Sequence, residues 1–291
     1  MNTYYKEYSE FLAEHFDGKV QKLSVDVGFT CPNRDGTVGY GGCIYCNNMA
    51  FSPDWEKRSE GVAEQIARGK DFFGRKYPEM RYLAYFQSYT STYAPSEKLL
   101  GLYREALAQP GVVGLIIGTR PDCMPDSLLD SISKLDAKVF IEYGAESSHD
   151  NTLSAINRCH TWAQTVDAVE RTARLGIPVG LHLILGLPGE TEEMMAQTVR
   201  QVSALPVSTV KFHQLQILKG TRLEKIASEL DIPTYTAEEY ASLCSRLLKH
   251  LRRDIAVERF VAQAPADMLI SPRWGLKNYQ FVSLLHKILS K

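Results

Sequence analysis

Apolar and polar residues along this chain follow two different periods that take turns. Stretches in which apolar residues recur every three to four positions predict helices, and short runs rich in β-branched and aromatic residues predict strands. The predicted strands are 20–27, 82–87, 112–118, 138–142, 179–185 and 209–215, and the predicted helices are 4–16, 60–75, 96–108, 125–135, 161–175, 192–204 and 237–251. Because repeated βα units with right-handed crossovers build a parallel sheet covered by helices, the pattern predicts an α/β fold, as an open sheet or as a full or partial barrel.

The last part of the chain departs from this alternation. A strand at 256–262 and a helix at 276–289 are predicted there, with a proline-containing stretch between them. We therefore divide the chain into an N-terminal helix at 1–15, a core at 16–253 and a C-terminal extension at 254–291 that packs on the core. The 291 residues are within the size of a single α/β barrel, so a second large domain is not required.

The composition is that of a globular protein. Hydrophobic residues make up 44% of the chain and charged residues 23%, which excludes disordered, collagen-like and coiled-coil classes. The uncharged apolar run 175–189 is shorter than the roughly 20 residues of a membrane-spanning helix. The first residues also lack the apolar stretch of a signal peptide, so we expect a cytoplasmic protein without a membrane partner.

Charge is distributed unevenly along the chain. The net charge is −1, yet residues 244–291 hold nine Lys or Arg against three Asp or Glu. A basic segment of this kind is typical of a surface that contacts nucleic acid, although a solvated basic helix such as 246–253 is the more common explanation. The charge pattern leaves both interpretations open.

Three of the six cysteines are grouped in a glycine-rich loop after the second predicted element. Cys31, Cys43 and Cys46 have the spacing C-x11-C-x2-C, so three thiolates can face one metal centre. A zinc site normally needs a fourth protein ligand, and the next candidates, Cys123 and His149, are far along the chain. An iron–sulfur cluster held by three cysteines instead keeps one iron open for a non-protein ligand. The spacing therefore predicts a metal site and leaves two alternatives, a three-cysteine cluster or a zinc site with a distant fourth ligand.

Several motifs, in order along nearly the whole chain, indicate a family. The cysteine loop resembles that of the radical S-adenosylmethionine enzymes, with the aromatic Tyr45 just before the last cysteine. The chain as a whole resembles the subgroup related to the catalytic subunit of Elongator and, more distantly, oxygen-independent coproporphyrinogen oxidase. This resemblance implies a partial (βα)6 barrel of the TIM type, with a short C-terminal α+β extension and with the cofactors at the carboxyl ends of the strands. The motifs are residues 28–36, 86–90, 119–123, 142–144 and 186–190.

The resemblance also implies two cofactors. Cys31, Cys43 and Cys46 are expected to hold three irons of a [4Fe–4S] cluster, whose fourth iron binds the amino and carboxylate groups of S-adenosylmethionine. The cofactors supply a 5′-deoxyadenosyl radical, and the protein supplies positioning. Relatives often carry Gly-Gly-Glu at the end of the second strand for the methionine amino group, and this chain does not. We expect polar residues at that strand end to take its place, namely Gln87, Ser88 and Thr90.

Further contacts to S-adenosylmethionine follow from the same resemblance. Glu142 ends the fourth strand, where an ionised carboxylate can accept two hydrogen bonds from ribose hydroxyls, although a buried salt bridge with Arg158 is an alternative. Arg158 is itself a candidate ligand of the methionine carboxylate. His182 and Gly186 belong to the fifth strand, near the expected adenine, although Gly186 also fits a tight structural turn. Tyr45 is expected to stack near the adenine.

Three residues are candidates for the reaction itself. Asp122 and Cys123 follow the third predicted strand, 112–118, where they can reach a substrate and take part in proton or hydrogen transfer. His213 lies on the sixth strand and contacts the substrate if its side chain faces inward. A lone histidine on a strand is more often structural.

The similarity to Elongator indicates a tRNA substrate. We expect a radical enzyme that converts the wobble nucleoside carboxymethylaminomethyluridine to aminomethyluridine, with an electron donor such as flavodoxin or ferredoxin. The unpaired wobble base can enter the mouth of a barrel while basic side chains bind phosphates. Two alternatives remain, a radical enzyme acting on a small molecule or a peptide, and a non-catalytic zinc- or cluster-binding module. The candidate phosphate ligands are Arg252, Arg253, Arg259, Arg273 and Lys277.

Overall fold

Eight parallel strands form one curled, open sheet that is the frame of the molecule. The computed structural model describes residues 4–47, 53, 56, 60–75, 77 and 79–291. The strands of this sheet are β1 (Lys6–Glu7), β2 (Val20–Val25), β3 (Arg81–Phe86), β4 (Val112–Thr119), β5 (Lys138–Glu146), β6 (Val179–Leu185), β7 (Thr209–Gln214) and β9 (Ala256–Arg259). Their order in space is β1-β9-β7-β6-β5-β4-β3-β2, so the strands from β2 to β7 follow one another as successive βα units require. The predicted partial barrel is therefore confirmed.

Helices cover the convex face of this sheet. Each longer helix is amphipathic, and its apolar side packs on outward-facing strand residues in one continuous core. Leu99 and Tyr103, for example, are fully buried on one side of a helix whose other side is exposed. The helices are α1 (Tyr8–His15), α2 (Val62–Gly74), α3 (Ser96–Leu107), α4 (Asp126–Ser133), α5 (Asp150–Ala155), α6 (Trp162–Arg174), α7 (Glu192–Ala204), α8 (Arg222–Ile226), α9 (Ala237–Leu247) and α10 (Asn278–Leu289).

The first helix closes the amino-terminal end of the barrel interior. Phe11 and Phe16 of this segment pack on inward-facing strand residues in a second, separate apolar cluster. The rings of Phe11 and Phe140 meet edge to face, with their centroids 5.6 Å apart. The side chains of this cluster therefore fill the amino-terminal end of the barrel interior.

The C-terminal part of the chain completes the sheet and then covers its outer side. Two short strands, β8 (Ile217–Leu218) and β10 (Leu269–Ser271), pair antiparallel to form a second small sheet. Helix α10 then packs beside α9, with Phe281 buried against Tyr240 and Trp274. The domain boundaries proposed at residues 15 and 253 stay predictions. Strand β1 precedes the first boundary and strand β9 follows the second, and both strands pair within the main sheet.

Sequence periodicity located the longer elements and missed the shorter ones. The helix expected at 4–16 begins only at Tyr8, because Lys6 and Glu7 pair in parallel with β9. Helices α5 and α8 have six and five residues, which is too short for a helical period to show. Strand β5 continues to Glu146, four residues beyond its expected end at 142.

Candidate active site

A cavity of about 430 Å³ lies at the carboxyl ends of the parallel strands. Four of the five motifs recognised in the sequence end or follow one of these strands, and the fifth, 142–144, lies within β5. The carboxyl ends of the strands form the edge at which α/β barrels place their chemistry. The cysteine loop forms one side of the cavity, strand residues form its floor, and the segments after β7 and β9 form the opposite wall. Its lining includes Cys43, Tyr45, Cys46, Gln87, Thr119, Glu142, Arg158, His182, His213, Gln216, Arg259 and Gln263.

The cysteine loop is folded back on itself and tied to the segment after α5. The ring of Tyr40 packs directly over Gly36, where a Cβ atom would come within 2.6 Å of it, so only glycine fits this position. The amide of Asn157 donates hydrogen bonds to the carbonyl oxygens of Tyr40 and Gly42, at 3.1 and 2.7 Å. These contacts hold the three thiols in place from both sides of the loop.

The three thiols lie in a polar, cationic environment. Cys31 and Cys43 are buried, Cys46 is half-buried, and none of them forms a disulfide. The guanidinium of Arg158 lies with Nη1 3.6 Å from the Cys43 sulfur, and the amide of Asn33 lies 3.8 Å from the same atom. Burial, together with the neighbouring Cys43 thiol, raises the pKa of Cys46 to about 12. A positively charged metal centre would offset both effects and stabilise the thiolates.

The donor set fits an iron–sulfur cluster better than a single ion. Within the described ranges, no three His, Cys, Asp or Glu side chains converge closely enough to hold one metal ion. A four-iron cluster is larger than an ion, so the thiolates that hold it stand further apart. Three thiols beside a polar cavity also leave one iron accessible to a ligand from the cavity.

Beneath the cavity lies a closed set of charged groups, which we call the ionic layer: Lys22, Tyr85, Glu142, Lys211 and Glu258. Lys22 Nζ lies 3.0 Å from Glu142 and 2.5 Å from Glu258, and Lys211 Nζ lies 2.6 Å from Glu142 and 3.1 Å from Glu258. Lys211 also donates to the Tyr85 hydroxyl at 2.9 Å. Each of the four carboxylate oxygens therefore faces a lysine. Burial alone would raise the pKa of Glu142, but Lys211 and Lys22 outweigh it and hold that pKa well below its usual value.

Two stacked histidines connect the ionic layer to the cavity. Nε2 of His182 lies 3.0 Å from Glu142, and because a carboxylate only accepts, this nitrogen carries the proton. Burial, reinforced by Lys211, lowers the pKa of His182 to about 4, so the ring is neutral and its Nδ1 is an acceptor. Nε2 of His213 lies 3.1 Å from Arg259, which only donates, so His213 carries its proton on Nδ1. The centroids of the two rings lie 5.8 Å apart. Nδ1 of His182 can accept a hydrogen bond, whereas Nδ1 of His213 can donate one.

The wall opposite the cysteine loop has hydrogen-bonding groups without partners. We call His213, Gln216 and Arg259 the upper wall. Gln216 donates to the carbonyl oxygen of Ala262 at 3.2 Å, but its Oε1 is buried without a hydrogen bond. Nε of Arg259 is also buried without one. A ligand in the cavity can supply the missing partners.

Five of the residues assigned to S-adenosylmethionine from the sequence line this cavity. Tyr45 and Gln87 flank the cysteine side, and Glu142, Arg158 and His182 lie on the floor. The alternative pairing of Glu142 with Arg158 is wrong, because the carboxylate beside Arg158 is Glu146, at 3.4 Å. The individual contacts of these residues to the cofactor stay predictions.

The other three residues assigned to S-adenosylmethionine, Ser88, Thr90 and Gly186, lie outside the cavity lining. The hydroxyl of Ser88 faces Glu56 at 3.3 Å, and Thr90 is fully buried with its hydroxyl unpartnered. Gly186 faces a second, smaller cavity beside Tyr235. The roles proposed for these three residues remain untested.

Asp122 and Cys123 also lie outside the main cavity. Arg120 holds Asp122 through two hydrogen bonds, at 2.9 and 2.8 Å, and is itself 1% exposed. Burial raises the pKa of the Cys123 thiol to about 12. Their proposed part in proton or hydrogen transfer stays a prediction, whereas His213 does face the cavity as its candidacy required.

Sequence analysis missed several cavity residues that a period of two could have found. Gly144 and Glu146 lie on the same face of β5 as Glu142, because alternate strand residues point the same way. Glu146 has a left-handed φ of 67°, which is uncommon for a residue with a side chain. Arg158 donates to the Gly144 carbonyl oxygen at 2.6 Å, and a Cβ at Gly144 would come within 2.5 Å of that guanidinium. The sequence signal was present, but the strand was ended too early.

The basic residues of the C-terminal segment divide into different roles. Arg252 pairs with Asp254 at 2.6 Å and donates to main-chain carbonyl oxygens, so its charge is used within the fold. Arg273 donates twice to the carbonyl oxygen of Leu269, and Lys277 is exposed. Arg259 is the member of this group that lines the cavity.

Comparison with known proteins identifies the family. Residues 29–202 match the Radical SAM superfamily, and residues 207–291 match the Radical SAM C-terminal domain. The uncharacterized protein YtqA of Bacillus subtilis is 34% identical over 98% of this chain and 89% of its own length. A tRNA uridine(34) acetyltransferase of Methanocaldococcus infernus is 25% identical over 62% of this chain and 33% of its own length.

Comparison with solved structures supports the same fold. The archaeal Methanocaldococcus infernus Elp3 superposes with a TM-score of 0.72 at 17% identity, covering 94% of this chain and 63% of that one. This chain thus spans less than two thirds of that neighbour. None of the described helices combines the length and apolar character that crossing a membrane requires. The family matches and the YtqA alignment together establish that the chain belongs to the radical SAM superfamily.

Proposed function

We propose that this protein is a cytoplasmic tRNA-modifying enzyme that converts carboxymethylaminomethyluridine at the wobble position to aminomethyluridine. The observation that carries the proposal is the cavity itself, which has the cysteine loop with Cys43 and Cys46 on one side and the unpartnered polar atoms of Gln216 and Arg259 on the other. The similarity to tRNA uridine(34) acetyltransferases over 62% of the chain favours a wobble uridine as the occupant of that wall.

The residues of this chain suit both cofactors of the family. Cys31, Cys43 and Cys46 would hold a [4Fe–4S] cluster, and the polar groups beside them, Arg158 and Gln87 among them, would hold S-adenosylmethionine. When bound and reduced by a donor such as flavodoxin or ferredoxin, this pair supplies a 5′-deoxyadenosyl radical that removes a hydrogen atom from carbon. The protein must orient the substrate carbon and exclude water, which the buried floor and the folded cysteine loop favour.

The proposed conversion is an oxidative cleavage of a carbon–nitrogen bond. The carbon between the amine and the carboxylate is oxidised by two electrons, water supplies an oxygen, and the C–N bond breaks to release glyoxylate and the aminomethyl product. S-adenosylmethionine would be the oxidant for this reaction. It would take up the two electrons and one proton as its C5′–S bond is replaced by a C–H bond, giving 5′-deoxyadenosine and methionine, and one proton would be released. One S-adenosylmethionine is therefore consumed for each nucleoside converted.

The upper wall has groups that suit a uracil base taken out of the anticodon stack. The unpartnered Oε1 of Gln216 is an acceptor for a donor such as uracil N3–H. Removing an unpaired base from a loop costs less than extruding one from a duplex. Basic side chains outside the cavity, Arg273 and Lys277, are the candidates for the phosphates around it.

The test is an anaerobic assay of the reconstituted protein. Iron, sulfide, S-adenosylmethionine and a reductant are supplied, and 5′-deoxyadenosine and glyoxylate are measured with and without tRNA that carries carboxymethylaminomethyluridine. We expect that tRNA to stimulate both products in equal amounts, and the Cys43→Ala variant to form neither. Raised salt should weaken the stimulation, because phosphate contacts release counterions.

Other outcomes assign the alternatives. Cleavage of S-adenosylmethionine that this tRNA does not stimulate would favour a small molecule or peptide as the substrate. Tight binding of zinc, with no cluster and no cleavage, would favour a non-catalytic metal-binding module. Either result would reject the proposal.

A further inference from the structure

The charges inside the barrel do not balance. In the ionic layer, Lys22 and Lys211 neutralise Glu142 and Glu258, and every carboxylate oxygen is used. Arg259 stands just above this layer and adds one further positive charge. The interior therefore has a surplus cation, and it lies at the wall of the cavity.

The geometry of Arg259 shows that its charge is not used within the fold. Among the described residues Arg259 is in no ion pair, because Glu142 and Glu258 pair with Lys22 and Lys211, and Asp254 pairs with Arg252. One of its terminal nitrogens donates to the neutral ring of His213 at 3.1 Å, and its Nε is buried without an acceptor. Arg259 is half-buried, and an unpartnered buried N–H beside an unpaired charge lowers stability. An anion entering the cavity would supply both the acceptor and the counter-ion.

We propose that Arg259 is the subsite that receives the carboxylate of the substrate's substituent, and this inference rests on the proposed function. A guanidinium can donate two parallel hydrogen bonds to a carboxylate, which fixes both its position and its orientation. His213 is a positioning residue, because it accepts one N–H of Arg259 and so sets the direction of the remaining donors.

The same arrangement distinguishes the substrate from its product. Carboxymethylaminomethyluridine brings a carboxylate to Arg259, whereas aminomethyluridine brings only an ammonium group of the same sign as the guanidinium. Binding of the substrate is therefore favoured, and the product is repelled once the carboxylate has left.

The experiment compares binding of three anticodon stem-loops to the cluster-loaded protein. The stem-loops differ only at the wobble uridine, which is unmodified, carboxymethylaminomethylated or aminomethylated, and affinity is measured by fluorescence anisotropy without reductant. We expect the protein to prefer the carboxylate-bearing stem-loop over the aminomethyl one by at least about tenfold, the size of one charge-assisted pair. Arg259→Gln should abolish this preference and change the affinity for unmodified uridine less than about twofold.

Two further variants keep the result interpretable. Arg259→Lys keeps the positive charge but cannot donate two parallel hydrogen bonds to a carboxylate, so it should retain only part of the preference for the carboxylate-bearing stem-loop. Arg273→Gln is the matched change on the outer surface, and it should lower the affinity for all three stem-loops to the same extent. A preference that survives in Arg259→Gln, or is absent from the unaltered protein while it binds all three stem-loops, would overturn this inference alone. Failure to bind any stem-loop would overturn the proposed function as well.

Discussion

The ionic layer and the upper wall are neighbouring polar regions of the same barrel, and they differ in how their groups are satisfied. In the ionic layer, Lys22 and Lys211 each bridge Glu142 and Glu258, and the cluster is closed. In the upper wall, Gln216 and Arg259 each retain a buried polar atom with no partner. Both regions combine buried and half-buried residues, so burial alone does not separate them.

This difference separates structural from functional polarity. A buried charge that is fully paired contributes through the fold, and removing one partner leaves another charge uncompensated. A buried group that lacks a partner costs stability, and that cost is recovered when a ligand supplies the partner. We therefore expect substitutions in the ionic layer to affect stability first, and substitutions in the upper wall to affect binding first.

The largest expected effect comes from opening the ionic layer. Lys211→Met should lower the free energy of unfolding by about 3–5 kcal/mol, because Glu142 and Glu258 are left with one lysine between them. Arg259→Gln should lower it by less than about 1 kcal/mol, since no buried acid depends on Arg259. Urea unfolding of both variants measures the difference, and equal losses would remove the distinction between the two regions.

The next effect is on the pH dependence of the free energy of unfolding, and it tests His182, which connects the ionic layer to the cavity. Burial lowers the pKa of His182 from the ordinary value of 6.5 to about 4 in the folded protein. Between pH 6.5 and pH 4, the imidazole is therefore protonated in the unfolded chain and neutral in the folded protein. By linkage this contribution destabilises the fold by about 2 kcal/mol at pH 5 relative to pH 7 and above. His182→Gln keeps an N–H donor for Glu142 and should remove that part of the pH dependence. Unfolding curves of equal pH slope for the two proteins would contradict the assignment of a neutral ring.

A smaller effect distinguishes two glutamines separated by one residue. Gln214 both donates to and accepts from the main chain of Ala262, at 3.0 and 2.8 Å, whereas Gln216 only donates to the same carbonyl, at 3.2 Å. Gln214→Leu should cost about 1–2 kcal/mol, because the Ala262 N–H loses its acceptor. Gln216→Leu should leave stability within about 1 kcal/mol and weaken stem-loop binding instead. The pair is compared by thermal unfolding and anisotropy, and the reverse pattern would show that Gln216 is the structural residue.

The sequence predicted the frame and the cofactor side of the site better than the substrate side. The cysteine loop and the strand-end motifs are local in sequence, so spacing located the cysteines and the family resemblance located the motifs. The parallel sheet follows from the alternation of elements. The ion-pair partners of Glu142 are not local in sequence, because Lys22 lies 120 residues before it and Lys211 lies 69 residues after it. Nothing local in the sequence shows that these side chains meet.

The distinction between Arg252 and Arg259 was equally hidden. Both are arginines of one basic segment, and both were expected to contact phosphates. The structure places Arg252 against Asp254 and three carbonyl oxygens, and Arg259 at the wall of the cavity. Only the path of the chain into β9 separates them, and that path depends on contacts with β1 and β7.

The central claim is that the cavity presents the carboxymethyl carbon of a wobble uridine for hydrogen removal. The most direct measurement supplies the reconstituted protein with tRNA whose carboxymethylaminomethyl group is deuterated at the carbon next to the carboxylate, and records the mass of the 5′-deoxyadenosine. We expect transfer of one deuterium, together with formation of aminomethyluridine and glyoxylate. Unlabelled 5′-deoxyadenosine formed while the nucleoside stays unchanged would contradict it.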